Sequence, residues 1–144
     1  MNKSEIAFKN FNETLNCSQA VLSAFAEDLG MDLKTANKIA SAFGGGIARN
    51  GETCGAVSGA LMVIGLKHWN SDIDPAEAKA NVYTISNKFI DEFKAKNNSI
   101  KCKELLDADL STEEGRKKMK DEKLSEKICN KAVCDAAEIL EKLF

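Results

Sequence analysis

A chain of 144 residues with 44% hydrophobic and 29% charged side chains is long enough to bury its own core, and one proline with 6% aromatics argues against a sandwich of turn-linked strands. Lysines and acids interleave and the net charge is -2, so no sustained basic field exists to hold nucleic acid. The N-terminal stretch lacks the apolar core of a signal peptide and no apolar run approaches the ~18 residues of a membrane span, so the expectation is a cytoplasmic protein that contacts no membrane.

Residues 4–12 predict a short helix. A second follows in "NCSQAVLSAFAEDLG", with Val21, Leu22, Phe25 and Leu29 along one side. Asn16 followed by Gln19 has the pattern of a capping box, which puts Cys17 at the first helical position, and Gly30 closes the helix. "MDLKTANKIASAFGGG" supplies a third helix that stops at the glycine run. Thr53 is expected to cap a fourth, from Cys54 to about His68, in which Ala56, Gly59, Ala60 and Val63 form a face small enough for a neighbour to come close. The fifth is the clearest: Asp74 as N-cap, Pro75 at the first position, Glu77 closing the box, and an apolar stripe of Val82, Ile85, Phe89 and Phe93. Asn98 or Ser99 is expected to cap a short helix carrying Cys102 in its first turn. "DADLSTEEGRKKMKDEK" reads as a solvated, partly looped segment. "ICNKAVCDAAEILEKLF" ends the chain as an amphipathic helix with Val133, Ala137, Leu140 and Phe144 toward the core. The fold class is all-α, a compact single-domain bundle of about five to seven helices over residues 1–144.

The chemistry lies in five cysteines at positions 17, 54, 102, 129 and 134. In a reducing compartment such residues are more often metal-binding, catalytic or simply buried than disulfide-bonded. Cys17, Cys54 and Cys102 fall at expected helix starts, and Cys129 does so if the last helix begins at Asn130. First-turn N–H groups and the helix dipole favour a thiolate there, lowering a thiol pKa from ~8.5 toward roughly 3.5–7.5. Cys134, inside the last helix, reads as packing. No C-x-x-C spacing occurs, so thioredoxin, zinc-ribbon and haem-attachment patterns are absent. The lone histidine, His68, reads as a helix-end residue rather than a ligand, and Trp69 as a packing or interface anchor. "GGGIARNG" matches neither a P-loop nor a dinucleotide fingerprint. Gly44, Gly45, Gly46 and Gly51 instead supply a pliable backbone whose N–H groups can approach a negative site, and Arg49 a cation beside Cys54. The serines and acids show no nucleophile–base arrangement, so a hydrolase has no support.

The stretches "NCSQAVLSAF", "FGGGIARNGETCGAVSGALMVIGL" and "IKCKELL", with a cysteine before "DAAEILEKL", resemble the redox-active proteins named for their cysteine pattern, the C_GCAxxG_C_C family. The likeness covers about residues 10 to 143. Its four cysteines fall on Cys17, Cys54, Cys102 and Cys129, with Gly55, Ala56 and Gly59 completing the "CGAxxG" that follows from Cys54; the order here is Cys-Gly-Ala rather than the Gly-Cys-Ala of the label. Cys134 matches no family cysteine. The resemblance implies redox activity through the cysteines, and three readings stay open. The four can converge on an iron–sulfur cluster of the two-iron (2Fe-2S) type for electron transfer or sensing. Cys17 and Cys54 can work as redox thiols, with Cys54 attacking. The chain can also be a non-catalytic helical interaction module or a structural zinc protein. The partner implied is a redox protein, and the sequence leaves a homodimer open.

Overall fold

The computed structural model describes residues 1–144 as eight α-helices without strands: α1 (Lys3–Glu13), α2 (Cys17–Ala26), α3 (Leu33–Ala40), α4 (Gly55–His68), α5 (Pro75–Asn97), α6 (Cys102–Leu106), α7 (Glu113–Asp121) and α8 (Asn130–Leu143). Seven stand where the sequence patterns put them. The eighth, α7, comes from the polar segment expected to be partly loop. Its N-cap Thr112 accepts the Gly115 N–H at 3.0 Å, Glu113 and Glu114 occupy its first turn, and Lys118 and Lys120 its last. Caps and charges matched to the dipole make this helix, not an apolar stripe.

Of the other expected N-caps, one forms and the rest do not. The Asn16–Gln19 box is present in both directions, Gln19 N–H to Asn16 Oδ1 at 2.9 Å and Asn16 N–H to Gln19 Oε1 at 3.0 Å. Thr53 does not cap α4; it pairs with Lys101 in a single antiparallel bridge, and Cys54 itself is the cap residue, without a side-chain bond. Asp74 likewise makes no capping bond, so α5 starts on Pro75 without the expected box. Asn98, at φ 72°, ends α5 rather than capping α6, and Ser99 Oγ accepts the N–H of Lys101, the residue that precedes α6. Cys129 does not start a helix: a π-helical turn over Ser125–Cys129 runs straight into α8, Asn130 N–H reaching back to the Ser125 carbonyl.

The main core packs Val21, Leu22 and Phe25 of α2, Val57, Val63 and Ile64 of α4, Phe89 and Phe93 of α5, and Val133, Ile139 and Leu140 of α8. The small-residue face works as expected: a Cβ on Gly59 would stand 2.6 Å from the Ser18 carbonyl oxygen, so α2 and α4 meet backbone to backbone. Phe144 is not core; it is 38% exposed, edge-on to Phe25 and to His68. A smaller cluster of Cys102, Leu106, Leu110 and Leu124, with Met119, Ile128 and Cys129 against it, lies apart from the main core. No helix is long and apolar enough to cross a membrane.

Candidate functional site: a four-thiol cavity

Cys17 is the first residue of α2, held there by the Asn16 box. Gly55, the first residue of α4, faces it: a Cβ at Gly55 would fall on the Cys17 sulfur and within 2.9 Å of the Phe43 carbonyl oxygen. The glycine after Cys54 is therefore the space that Cys17 occupies. Gly44 serves the same corner, because a Cβ there would sit 2.7 Å from the Asn16 Cβ and displace the cap.

Cys54 and Cys102 are joined through the backbone. Cys54 N–H donates to the Ile100 carbonyl and Cys102 N–H to the Glu52 carbonyl, each at 2.7 Å, so residues 52–54 and 100–102 lie antiparallel. Alternation along extended backbone sends Cys54 and Cys102 to the face opposite Thr53 and Lys101. Gly46 lies behind them, where a Cβ would stand 2.6 Å from the Cys102 Cβ. Cys129 closes the set from the π-helical turn, a device that adds a residue to the helical turn and is frequent at functional sites.

All four line one cavity of about 570 Å³. Phe11, Leu105, Leu106, Leu110, Met119 and Ile128 supply apolar wall, Asn16, Ser41 and Ser125 polar wall, and Arg49 is the sole charged side chain among the lining residues. Neither His68 nor Cys134 belongs to it. Cys134 is half-buried with its Sγ 3.9 Å from the Ser4 carbonyl oxygen, and Trp69 is 46% exposed with its Nε1 donating to Ser71 Oγ. Gly51 sits beside Lys103, outside the lining, and Gly59 stays in the helix crossing.

The thiols do not have the depressed pKa that helix starts led one to expect. Burial pushes Cys102 up to about 11 and Cys129 up to about 12, and raises Cys54 further still. Cys17 also rises through burial, although the backbone amides of Gly45, Ser18 and Gly55 favour its ionised sulfur. In each of the six pairs one thiolate disfavours the other, so the sulfurs share one electrostatic environment. Desolvation in an apolar pocket outweighs the first-turn amides. None of the five cysteines is in a disulfide. No three His, Cys, Asp or Glu side chains are arranged to hold a single metal ion.

The glycine stretch is a compact turn rather than a pliable loop. Gly45, Gly46, Ile47, Ala48 and Arg49 take φ of 67, 69, 66, 51 and 68° in succession, a left-handed run of five residues. Three of them carry side chains, at roughly 1–2 kcal/mol each, and β-branched Ile47 suits that region least. Ala48 N–H to Ala42 O at 2.9 Å, Gly51 N–H to Gly45 O at 3.2 Å and Glu52 N–H to Gly46 O at 2.9 Å tie it down. The run carries the chain from the end of α3 to the bridge that holds Cys54 and Cys102. No residue-type signal announces it beyond the first two glycines.

A family model described as "Putative redox-active protein (C_GCAxxG_C_C)" matches residues 15–143. No curated protein and no solved structure matches the chain.

Proposed function

The chain belongs to the C_GCAxxG_C_C family of redox-active proteins, and from that premise we propose that its cavity holds an iron–sulfur cluster of the 2Fe-2S type on Cys17, Cys54, Cys102 and Cys129, serving electron transfer or sensing with a redox partner protein. The observation that carries this reading is the donor set: four thiols, with no histidine or carboxylate among the residues that line the cavity. Such clusters are held by four cysteine thiolates, whereas a structural zinc needs four donors around a single point. All four cysteines line one cavity of about 570 Å³, which has room for a two-iron group.

The raised thiol pKa values favour the same reading over thiol–disulfide exchange. An attacking thiolate at Cys54 is suppressed by burial and by its three neighbours. Four thiols with raised pKa values, two buried and two half-buried, give up their protons readily only to a positively charged group that replaces them, and thiolate ligation supplies that compensation. When bound, a cluster of this type takes up and releases one electron. The chain's own residues set the conditions. The amides of Gly45, Ser18 and Gly55 favour negative charge on the Cys17 sulfur, and Leu106, Leu110 and Ile128 give the cavity an apolar wall.

Anaerobic purification followed by a visible spectrum and iron, sulfide and zinc analysis tests the proposal. Coloured protein with equimolar iron and sulfide is expected. Colourless, iron-free protein whose thiol count falls on oxidation overturns it in favour of a dithiol, and stoichiometric zinc overturns it in favour of a structural ion.

A further inference from the structure

Residues 108–122, which carry α7, reach the thiol cavity through two side chains. Leu110 and Met119 line it, and with Ala108 they pack in the small cluster that holds Cys102, Leu106, Ile128 and Cys129. Leu110 also leans toward the glycine turn, its Cδ1 3.7 Å from where a Cβ on Gly45 would stand. Elsewhere the stretch is largely surface, with Leu110 and Gly115 its two buried residues.

Its polar bonds turn inward. Thr112 Oγ1 donates to the Asp109 carbonyl at 2.8 Å, Arg116 Nη1 to the Leu110 carbonyl at 2.9 Å and Lys118 Nζ to the Asp107 carbonyl at 2.6 Å. No backbone or side-chain hydrogen bond runs from residues 108–122 to any residue outside 107–123. One ion pair does, Lys103 to Asp109 at 3.5 Å, and the Lys103 side chain is exposed. The backbone at both ends is left-handed, at Asp107 with φ 49° and at Lys123 with φ 53°. Residues with a Cβ disfavour that region, a lysine more than an aspartate, so the closed position is held at a conformational cost at each end.

From these observations we propose that residues 108–122 form a flap, hinged at Asp107 and Lys123, that opens over the four-thiol cavity while the main core stays folded, and so controls what reaches the sulfurs. Opening takes Leu110 and Met119 out of apolar contact and breaks one exposed ion pair. Withdrawing two apolar side chains sets the open fraction at roughly one molecule in a hundred to one in a thousand, above the fraction that is globally unfolded. The flap governs access to the thiols whatever group they hold, so it stands or falls separately from the cluster.

Alkylation by iodoacetamide of reduced, metal-free protein in a Cys134→Ser background tests this, read residue by residue through peptide mass spectrometry at the two buried thiols, Cys54 and Cys102. Opening uncovers little surface, so their labelling is expected to be insensitive to urea below the unfolding transition. A Cβ on Gly115 would stand 1.8 Å from the Asp109 carbonyl oxygen, a contact inside the flap. Gly115→Ala is therefore expected to speed labelling about tenfold or more, and Met119→Ala about tenfold. Lys123→Gly removes the left-handed cost from the closed state and is expected to slow labelling about threefold. In all three the helical circular-dichroism signal should stay near wild type. Labelling that rises with urea in step with global unfolding overturns the flap, as do wild-type rates in both Gly115→Ala and Met119→Ala. Loss of the whole helical signal in Gly115→Ala overturns the independence of the flap from the main core, and labelling of Lys123→Gly no slower than wild type overturns the hinge.

Discussion

Cys17 and Cys54 stand where α2 and α4 press backbone against backbone at the edge of the main core, whereas Cys102 and Cys129 stand on a five-residue helix and a π-helical turn, within the small cluster of Leu106, Leu110 and Leu124. The first half of the cavity is fixed by glycines that leave no room for a Cβ. The second is tied to it by two 2.7 Å backbone hydrogen bonds between residues 52–54 and 100–102 and by the π-helical turn that continues into α8. A site assembled this way shares its sulfurs between the main core and a smaller, separate buried cluster. Anything bound to all four thiols links the two parts, and its binding energy becomes stability for the second.

The largest expected effect separates the halves outright. Cys102→Ser and Cys129→Ser should abolish iron retention while keeping the helical circular-dichroism signal, because their half contributes little to the main core. Cys134→Ser, outside the cavity, should load normally. Equal loading of all three variants would erase the distinction between site and bystander cysteines.

Next comes the glycine contact on the stable side. Gly55→Ala should destabilise the protein by about 1–3 kcal/mol in urea unfolding, since overpacking against the Cys17 sulfur outweighs the ~0.8–1 kcal/mol gained from helix propensity. A neutral or stabilising result would mean that α2 and α4 are free to separate.

The thiols then give the cluster-free protein a pH dependence. An unfolded thiol titrates near its ordinary 9.0, while the folded chain keeps its proton to about 11 at Cys102 and about 12 at Cys129. Within that window the folded state binds more protons, so stability falls as pH rises, by up to about 1.4 kcal/mol per pH unit for each thiol. Loaded protein, its thiolates already deprotonated, should show a flat profile there. Urea midpoints from pH 8 to 11 measure both.

The smallest effect is the cap. Asn16→Ala removes the acceptor of the Gln19 N–H and should cost about 1 kcal/mol, read by the urea midpoint. Because the same cap holds Cys17 at the start of α2, iron retention should weaken along with stability.

The stable half was also the legible half. An Asn followed three residues on by Gln, and a cysteine followed by Gly-Ala-x-x-Gly, carry their physics in local sequence. A cap satisfies N–H groups one turn away, and small residues permit close approach wherever the partner lies. The other half depends on events with no local signature. Residues 52–54 and 100–102 are too short to alternate visibly, and they meet across nearly fifty residues of chain. Ile47, Ala48 and Arg49 are not residue types that favour a left-handed backbone, so the turn's hand is imposed by the bonds that close it. Helix α7 has no apolar stripe to find. The π-helical turn that aims Cys129 is a single extra residue in a run that otherwise reads as ordinary helix. The direction of the thiol pKa values failed for a different reason: a helix start can be seen in sequence, but the burial that outweighs it belongs to the folded molecule.

X-ray absorption at the iron edge of anaerobically loaded protein tests most directly whether both halves grip one group. The four-thiol site predicts a first shell of sulfur alone, together with a short iron–iron distance, both lost in Cys102→Ser. A nitrogen or oxygen ligand in the wild-type shell, or a sulfur shell unaltered by Cys102→Ser, would contradict it.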